Sequence, residues 1–132
     1  MTADTAANGP TILVVDDDEG VRTLVTFLLR RAGHVVVAAT NGREAVDVVR
    51  ERGHDIDAVL LDVMMPEMDG HEALPAIRDH QPDMPVVFFS GFDRNEVADH
   101  LVAPAAYTSF VPKPFDSDGL VEELRRAVDS RA

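Results

Sequence analysis

A chain of 132 residues has room for one hydrophobic core, and a composition of 45% hydrophobic and 27% charged residues is far from the low-hydrophobicity signature of a disordered chain. A formal net charge of −12 argues against a nucleic-acid surface, which would need concentrated basic residues to displace phosphate counterions. The absence of cysteine excludes disulfides and thiolate metal sites, and no apolar run approaches the length of a membrane span.

Residues 1–10, MTADTAANGP, contain neither the basic nor the apolar region of a leader peptide. They are expected to form a flexible tail ahead of a single domain over residues 11–132, in a cytoplasmic protein without membrane insertion. Short continuous apolar runs then recur at residues 12–15, 35–39, 58–61, 86–89 and, more weakly, 110–111. They lack the strict alternation of a half-exposed sheet, as expected of parallel strands covered on both faces. Between the first two runs, Val21, Leu24, Val25, Leu28 and Leu29 make an apolar stripe at helical spacing. Asn41-Gly42 has the composition of a hairpin turn, but Glu44 lies three residues after Asn41, and Ala45, Val48 and Val49 follow at helical spacing. A helix opening on a capping-box arrangement is therefore expected.

A third helix is expected from about Gly70 to His80, with Pro75 as an irregularity that removes a backbone donor. A fourth is expected near residues 95–102, ended by Pro104. A fifth carries the stripe Leu120, Val121, Leu124, Ala127 and Val128. Strand and helix thus alternate five times, the pattern of a parallel sheet with helices on both faces. In such sheets ligands bind beyond the carboxyl ends of the strands.

The residues at those ends carry chemistry. Asp16, Asp17 and Asp18 follow the first run, Asp62 the third, Ser90 and Gly91 the fourth, and Lys113 the fifth. If strands one, three, four and five lie side by side, these groups share one shallow pocket. Clustered carboxylates repel one another unless a cation is present, and oxygen donors suit a hard ion such as Mg²⁺. Lys113, the sole lysine of the chain, and the Ser90 hydroxyl would join the cation in neutralising a phosphoryl group transferred to a carboxylate.

VVDDD, LLDVMMPEMDG, FFSG and VPKPF occur in this order, and over residues 11–130 the chain resembles a receiver domain of bacterial two-component signalling, similar to the chemotaxis receivers. The resemblance implies a flavodoxin-like, doubly wound five-stranded parallel sheet in the order 2-1-3-4-5 with five helices. It also implies that Asp62 is the phosphoacceptor, and that Asp16, Asp17, Asp62 and the backbone carbonyl of Met64 hold Mg²⁺. Ser90 and Lys113 would contact the phosphoryl group, Ser90 and Phe110 would act as switch residues, and Met64 and Phe92 would flank the water that removes the phosphoryl group. The implied partners are a sensor histidine kinase or histidine phosphotransfer protein, a downstream protein, and a second copy in a phosphorylation-linked dimer. The implied output surface is the fourth helix, fifth strand and fifth helix. The segment between FFSG and VPKPF departs from the family pattern in having Pro104 and no Gly-Ala ahead of the fifth strand.

Simpler roles compete at several positions. Asp18 reads as a helix cap, Asp69-Gly70 as a turn, and Phe110 equally as a core aromatic. The five histidines share no ligand spacing, and His71-Glu72-Ala73-Leu74-Pro75 has proline where a zinc protease motif needs histidine. Two other functions remain: a haloacid-dehalogenase-type phosphatase with Asp16 as nucleophile, and an interaction module of the same fold that is not phosphorylated.

Overall fold

The computed structural model describes residues 9–62, 70–90, 108–112 and 117–131. In chain order these form β1 (Thr11–Val15), α1 (Glu19–Arg31), β2 (Val35–Ala39), α2 (Gly42–Arg52), a 3₁₀ turn (Gly53–Asp55), β3 (Ala58–Asp62), α3 (Gly70–His80), β4 (Val86–Ser90), β5 (Thr108–Pro112) and α4 (Ser117–Arg131). The helix expected near residues 95–102 lies outside the described residues, so the last helix carries the label α4.

The strands pair in parallel in the order β2-β1-β3-β4-β5. Successive side chains of a strand point to opposite faces, so a strand covered on both sides must be apolar throughout. β1 and β3 obey this closely. Leu13, Val15, Val59 and Leu61 pack with Phe88 against Ala45 and Val49 of α2 and Ala73, Leu74 and Ile77 of α3. The alternate residues Ile12, Val14, Ala58 and Leu60 pack with Phe89 against Val25 and Leu29 of α1 and Leu120 and Leu124 of α4. The α1 stripe is narrower than its sequence spacing suggests: Val25 and Leu29 are buried, whereas Leu24 is half exposed.

The helix ends show why the boundaries fall where they do. At the start of α1 the Asp18 carboxylate accepts a hydrogen bond from Val21 N at 3.0 Å, the capping role expected for it. At the end of α1, Gly33 N donates to Arg30 O and His34 N to Leu29 O, both at 3.0 Å. This paired closure requires the left-handed conformation that Gly33 adopts, with φ 97°. At the start of α2, Asn41 Oδ1 accepts from Glu44 N at 2.8 Å, while the Glu44 carboxylate reaches back to Thr40 N at 3.3 Å and the Thr40 hydroxyl at 3.1 Å. The helix reading of Asn41-Gly42 is therefore correct, and the returning Glu44 carboxylate extends to Thr40. α3 runs through Pro75, which is exposed.

Two boundaries differ from the sequence reading. Gly9 N donates to Gly33 O at 3.0 Å, and Pro10 O accepts from Val35 N at 3.0 Å, so these two residues are already tied to the turn between α1 and β2. β5 extends beyond the apolar pair at 110–111 to Thr108–Pro112. It pairs on one side with β4 and ends the sheet, and an edge position is where a terminal proline is tolerated.

Candidate functional site

The register of the sheet creates the site. Val15 of β1 stands opposite Leu61 of β3, so Asp16 and Asp62, the next residue of each chain segment, emerge together at the carboxyl edge. Asp62 in turn stands opposite Phe89, and Ser90 is the last residue of β4, opposite Pro112 of β5. Three of the sequence-identified residues are thus brought together directly: carboxylate oxygens of Asp16, Asp17 and Asp62 all lie within 4.8 Å of one another.

Asp16 and Asp62 are buried, whereas Asp17 is exposed. Two unit charges 4.8 Å apart repel by about 3 kcal/mol at an effective dielectric of about 20. Surface acids avoid this cost by turning into water, but two members of this cluster lack that freedom. A cation relieves the repulsion. The donor set is oxygen alone, and Mg²⁺ takes oxygens at about 2.0–2.1 Å, so oxygens on opposite sides of the ion are about 4 Å apart. The cluster is close to that span, and the residues fit a hard divalent ion.

The loop bearing Asp16 and Asp17 is held by its neighbours. Asp16 N donates to Ala39 O at 3.2 Å, continuing the β1–β2 ladder past the end of the strand. Asp16 Oδ1 accepts from Asp18 N at 2.8 Å, and Asp16 O accepts from Arg22 Nη1 at 2.8 Å. Arg22 was not marked by any sequence motif. Its only signal is a basic residue six positions after Asp16, one turn into the helix that the loop opens.

The other expected site residues are placed in part. The backbones of Ser90 and Phe110 lie at the carboxyl end of β4 and opposite Phe88 in β5, respectively. Met64, Phe92 and Lys113 lie outside the described residues. Asp18 belongs to the helix cap. Among the described residues, no helix is long and apolar enough to cross a membrane.

A parallel sheet of this order, with an acidic cluster at the carboxyl ends of its central strands, has clear relatives. Residues 12–125 match the family model of the response regulator receiver domain. The chain belongs to this family. The receiver is 35% identical over 121 residues to the sensor kinase CckA of Brucella abortus (strain 2308), covering 92% of this chain and 13% of the kinase. It is 39% identical over 117 residues to the transcriptional regulatory protein ZraR of Escherichia coli O157:H7, covering 89% of this chain and 26% of that protein. The receiver therefore spans about a quarter or less of these curated relatives. Among solved structures, it resembles the receiver domain of the hybrid histidine kinase CckA, with a TM-score of 0.75 and 32% identity over 89% of this chain and 98% of that one. It also resembles the Vibrio cholerae chemotaxis protein CheY4, with a TM-score of 0.80 and 30% identity over 89% of this chain and 98% of that one. Family membership takes the place of the haloacid-dehalogenase reading.

Proposed function

We propose that the receiver is a phosphoacceptor switch in which Asp62 takes a phosphoryl group from a phosphohistidine of a sensor kinase or histidine phosphotransfer protein. The observation that carries this reading is the juxtaposition of buried Asp62 with Asp16 and Asp17 at the carboxyl ends of β3 and β1. A carboxylate oxygen of Asp62 attacks phosphorus, the phosphorus–nitrogen bond breaks, and its electron pair returns to the imidazole of the donor. The product is an acyl phosphate. Asp16, Asp17, Asp62 and the Met64 carbonyl would hold Mg²⁺, which when bound neutralises charge on the phosphoryl oxygens.

Ser90 and Lys113 are assigned to the phosphoryl oxygens. Support comes from Ser90 ending β4 and from Lys113 directly following Pro112, its partner in register. Phosphorylation adds charge and acceptor oxygens that these two groups contact in only one state, which is the differential interaction a population shift requires. Ser90 and Phe110 are assigned as switch residues. They would pass the change to a surface formed by the expected helix near 95–102, β5 and α4, where a downstream protein or a second copy binds. With that helix the domain over residues 11–132 would have five helices on its parallel sheet. Its activity is confined to its own phosphorylation and slow dephosphorylation, the latter gated by Met64 and Phe92. A cytoplasmic location, without direct nucleic-acid binding, suits this role in a phosphorelay.

Intact-mass measurement after treatment with a small phosphodonor and Mg²⁺ tests the assignment. The wild type is expected to gain one phosphoryl group and Asp62→Asn none. Asp16→Asn should keep the acceptor but need more Mg²⁺. A phosphoryl adduct retained by Asp62→Asn and lost by Asp16→Asn would reverse the roles and sink the proposal.

A further inference from the structure

We infer that Arg22 is a positioning residue for the cation site: by clamping the main chain of Asp16 from the first turns of α1, it fixes the carboxylates that hold Mg²⁺. This rests on the cation reading of the acidic cluster. The bond from Arg22 Nη1 goes to the carbonyl of Asp16, at 2.8 Å, and so steadies the loop without occupying either ligand oxygen of that side chain. A basic group bonded to the carboxylate would instead compete with the ion.

The clamp is one part of a closed set of bonds. Arg22 N donates to Asp18 O at 3.0 Å, and the Asp18 carboxylate accepts from Val21 N at 3.0 Å, so Asp18 is bound into the start of α1. Asp18 N donates to Asp16 Oδ1 at 2.8 Å. Asp16 N is held by Ala39 O on the neighbouring strand. The three consecutive aspartates are thereby gripped at both ends, from β2 and from α1, while Asp17 projects to the exposed side of the cluster. A loop whose ligands are already oriented loses less freedom when the ion arrives, and binds it more tightly. Arg22 is half-buried, so its long side chain is partly ordered before it makes this bond.

Charge and geometry predict opposite signs when Arg22 is removed. Without the cation of Arg22 the local potential becomes more negative, and simple attraction would strengthen Mg²⁺ binding. Without the clamp the loop loosens and binding weakens. The positioning role requires the second effect to win.

The test is a titration of the unphosphorylated full chain with Mg²⁺ alone, followed by amide chemical shifts of Asp16, Asp17 and Asp62. Arg22→Met, which keeps an apolar stem but no donor, is expected to raise the Mg²⁺ Kd about fivefold to tenfold, a part of what one charge-assisted bond contributes, since the bond acts on the ion through the loop. Arg22→Gln, whose shorter amide cannot span to the Asp16 carbonyl, should behave like Arg22→Met and serves if the methionine variant does not fold. Arg22→Lys, which retains both a donor and the charge, should return to within about threefold of the wild type, the remaining difference reflecting the shorter reach of the ammonium. Unchanged or tighter Mg²⁺ binding by both neutral variants would overturn the positioning role while leaving the cation site intact. If the wild type itself shows no Mg²⁺-dependent shifts at the three aspartates, the cation reading falls and this inference falls with it.

Discussion

Asp16 and Asp62 are both buried at adjacent strand ends. Asp16 is engaged on both sides of its peptide, and its carboxylate already accepts the amide of Asp18, so it is suited to holding an ion in one place. Asp62 ends β3 and leads into residues 63–69, the segment that carries Met64. The lifetime of the proposed acyl phosphate depends on water reaching phosphorus in line with the bond to be broken, and orientation of that water accounts for large rate factors. Met64 and Phe92 have no strong hydrogen-bonding group to hold such a water. Dephosphorylation of the wild type is therefore expected to be slow, and Met64→Asn or Met64→Glu should accelerate it by about tenfold or more, within the range that one positioned polar group contributes. Timed loss of the phosphorylated species at fixed Mg²⁺ measures this. An unchanged or slower rate in both variants would remove Met64 from the gating role.

The helices earn their boundaries from single polar residues rather than from the apolar stripes alone. The Asn41 cap on α2 joins the end of β2 to a helix that covers one face of the sheet, so Asn41→Ala should destabilise the protein by about 1 kcal/mol, while Asn41→Ser or Asn41→Asp should cost only a few tenths. Chemical denaturation would show a lower midpoint with an unchanged slope; an alanine variant as stable as the wild type would mean that the Glu44–Thr40 bonds alone secure this helix start. The cap was legible beforehand because Asn, a three-residue interval and Glu are a local pattern. The same holds for Asp18. β5 was less legible: Thr108, Ser109 and Pro112 lack the apolar character of a central strand, and an edge strand does not demand it. Asp62 was readable as a carboxylate at a strand end, but that it lies beside Asp16 depends on the register of β1 with β3, which no local pattern contains. Arg22 was illegible for a related reason, since its role depends on a side chain folding back over the preceding loop.

At the scale of the whole molecule, the acidic cluster couples ion binding to stability. The unfolded chain separates Asp16, Asp17 and Asp62, whereas the folded chain holds their oxygens within 4.8 Å, so folding without a cation works against their repulsion. Mg²⁺ that binds the folded state alone adds stability of RT ln(1 + [Mg²⁺]/Kd), about 1.4 kcal/mol at ten times the Kd, which for a domain of this size raises Tm by roughly 5 °C. Substituting a buried member of the cluster changes two quantities in opposite directions. Asp62→Asn removes one of the mutually repelling charges, so its ion-free Tm should exceed that of the wild type. It also removes a ligand, so its Tm should rise less when Mg²⁺ is added. Asp16→Asn should follow the same pattern, its gain in ion-free stability offset in part because the substitution weakens the bond from the Asp18 amide to its carboxylate. Thermal unfolding of the three proteins with and without Mg²⁺, at constant ionic strength to separate specific binding from screening, tests the coupling. Equal Mg²⁺-induced shifts in the wild type and both variants would show that the ion stabilises the chain elsewhere. A lower ion-free Tm in Asp62→Asn would show that the buried carboxylates are accommodated by their protein partners without need of a cation.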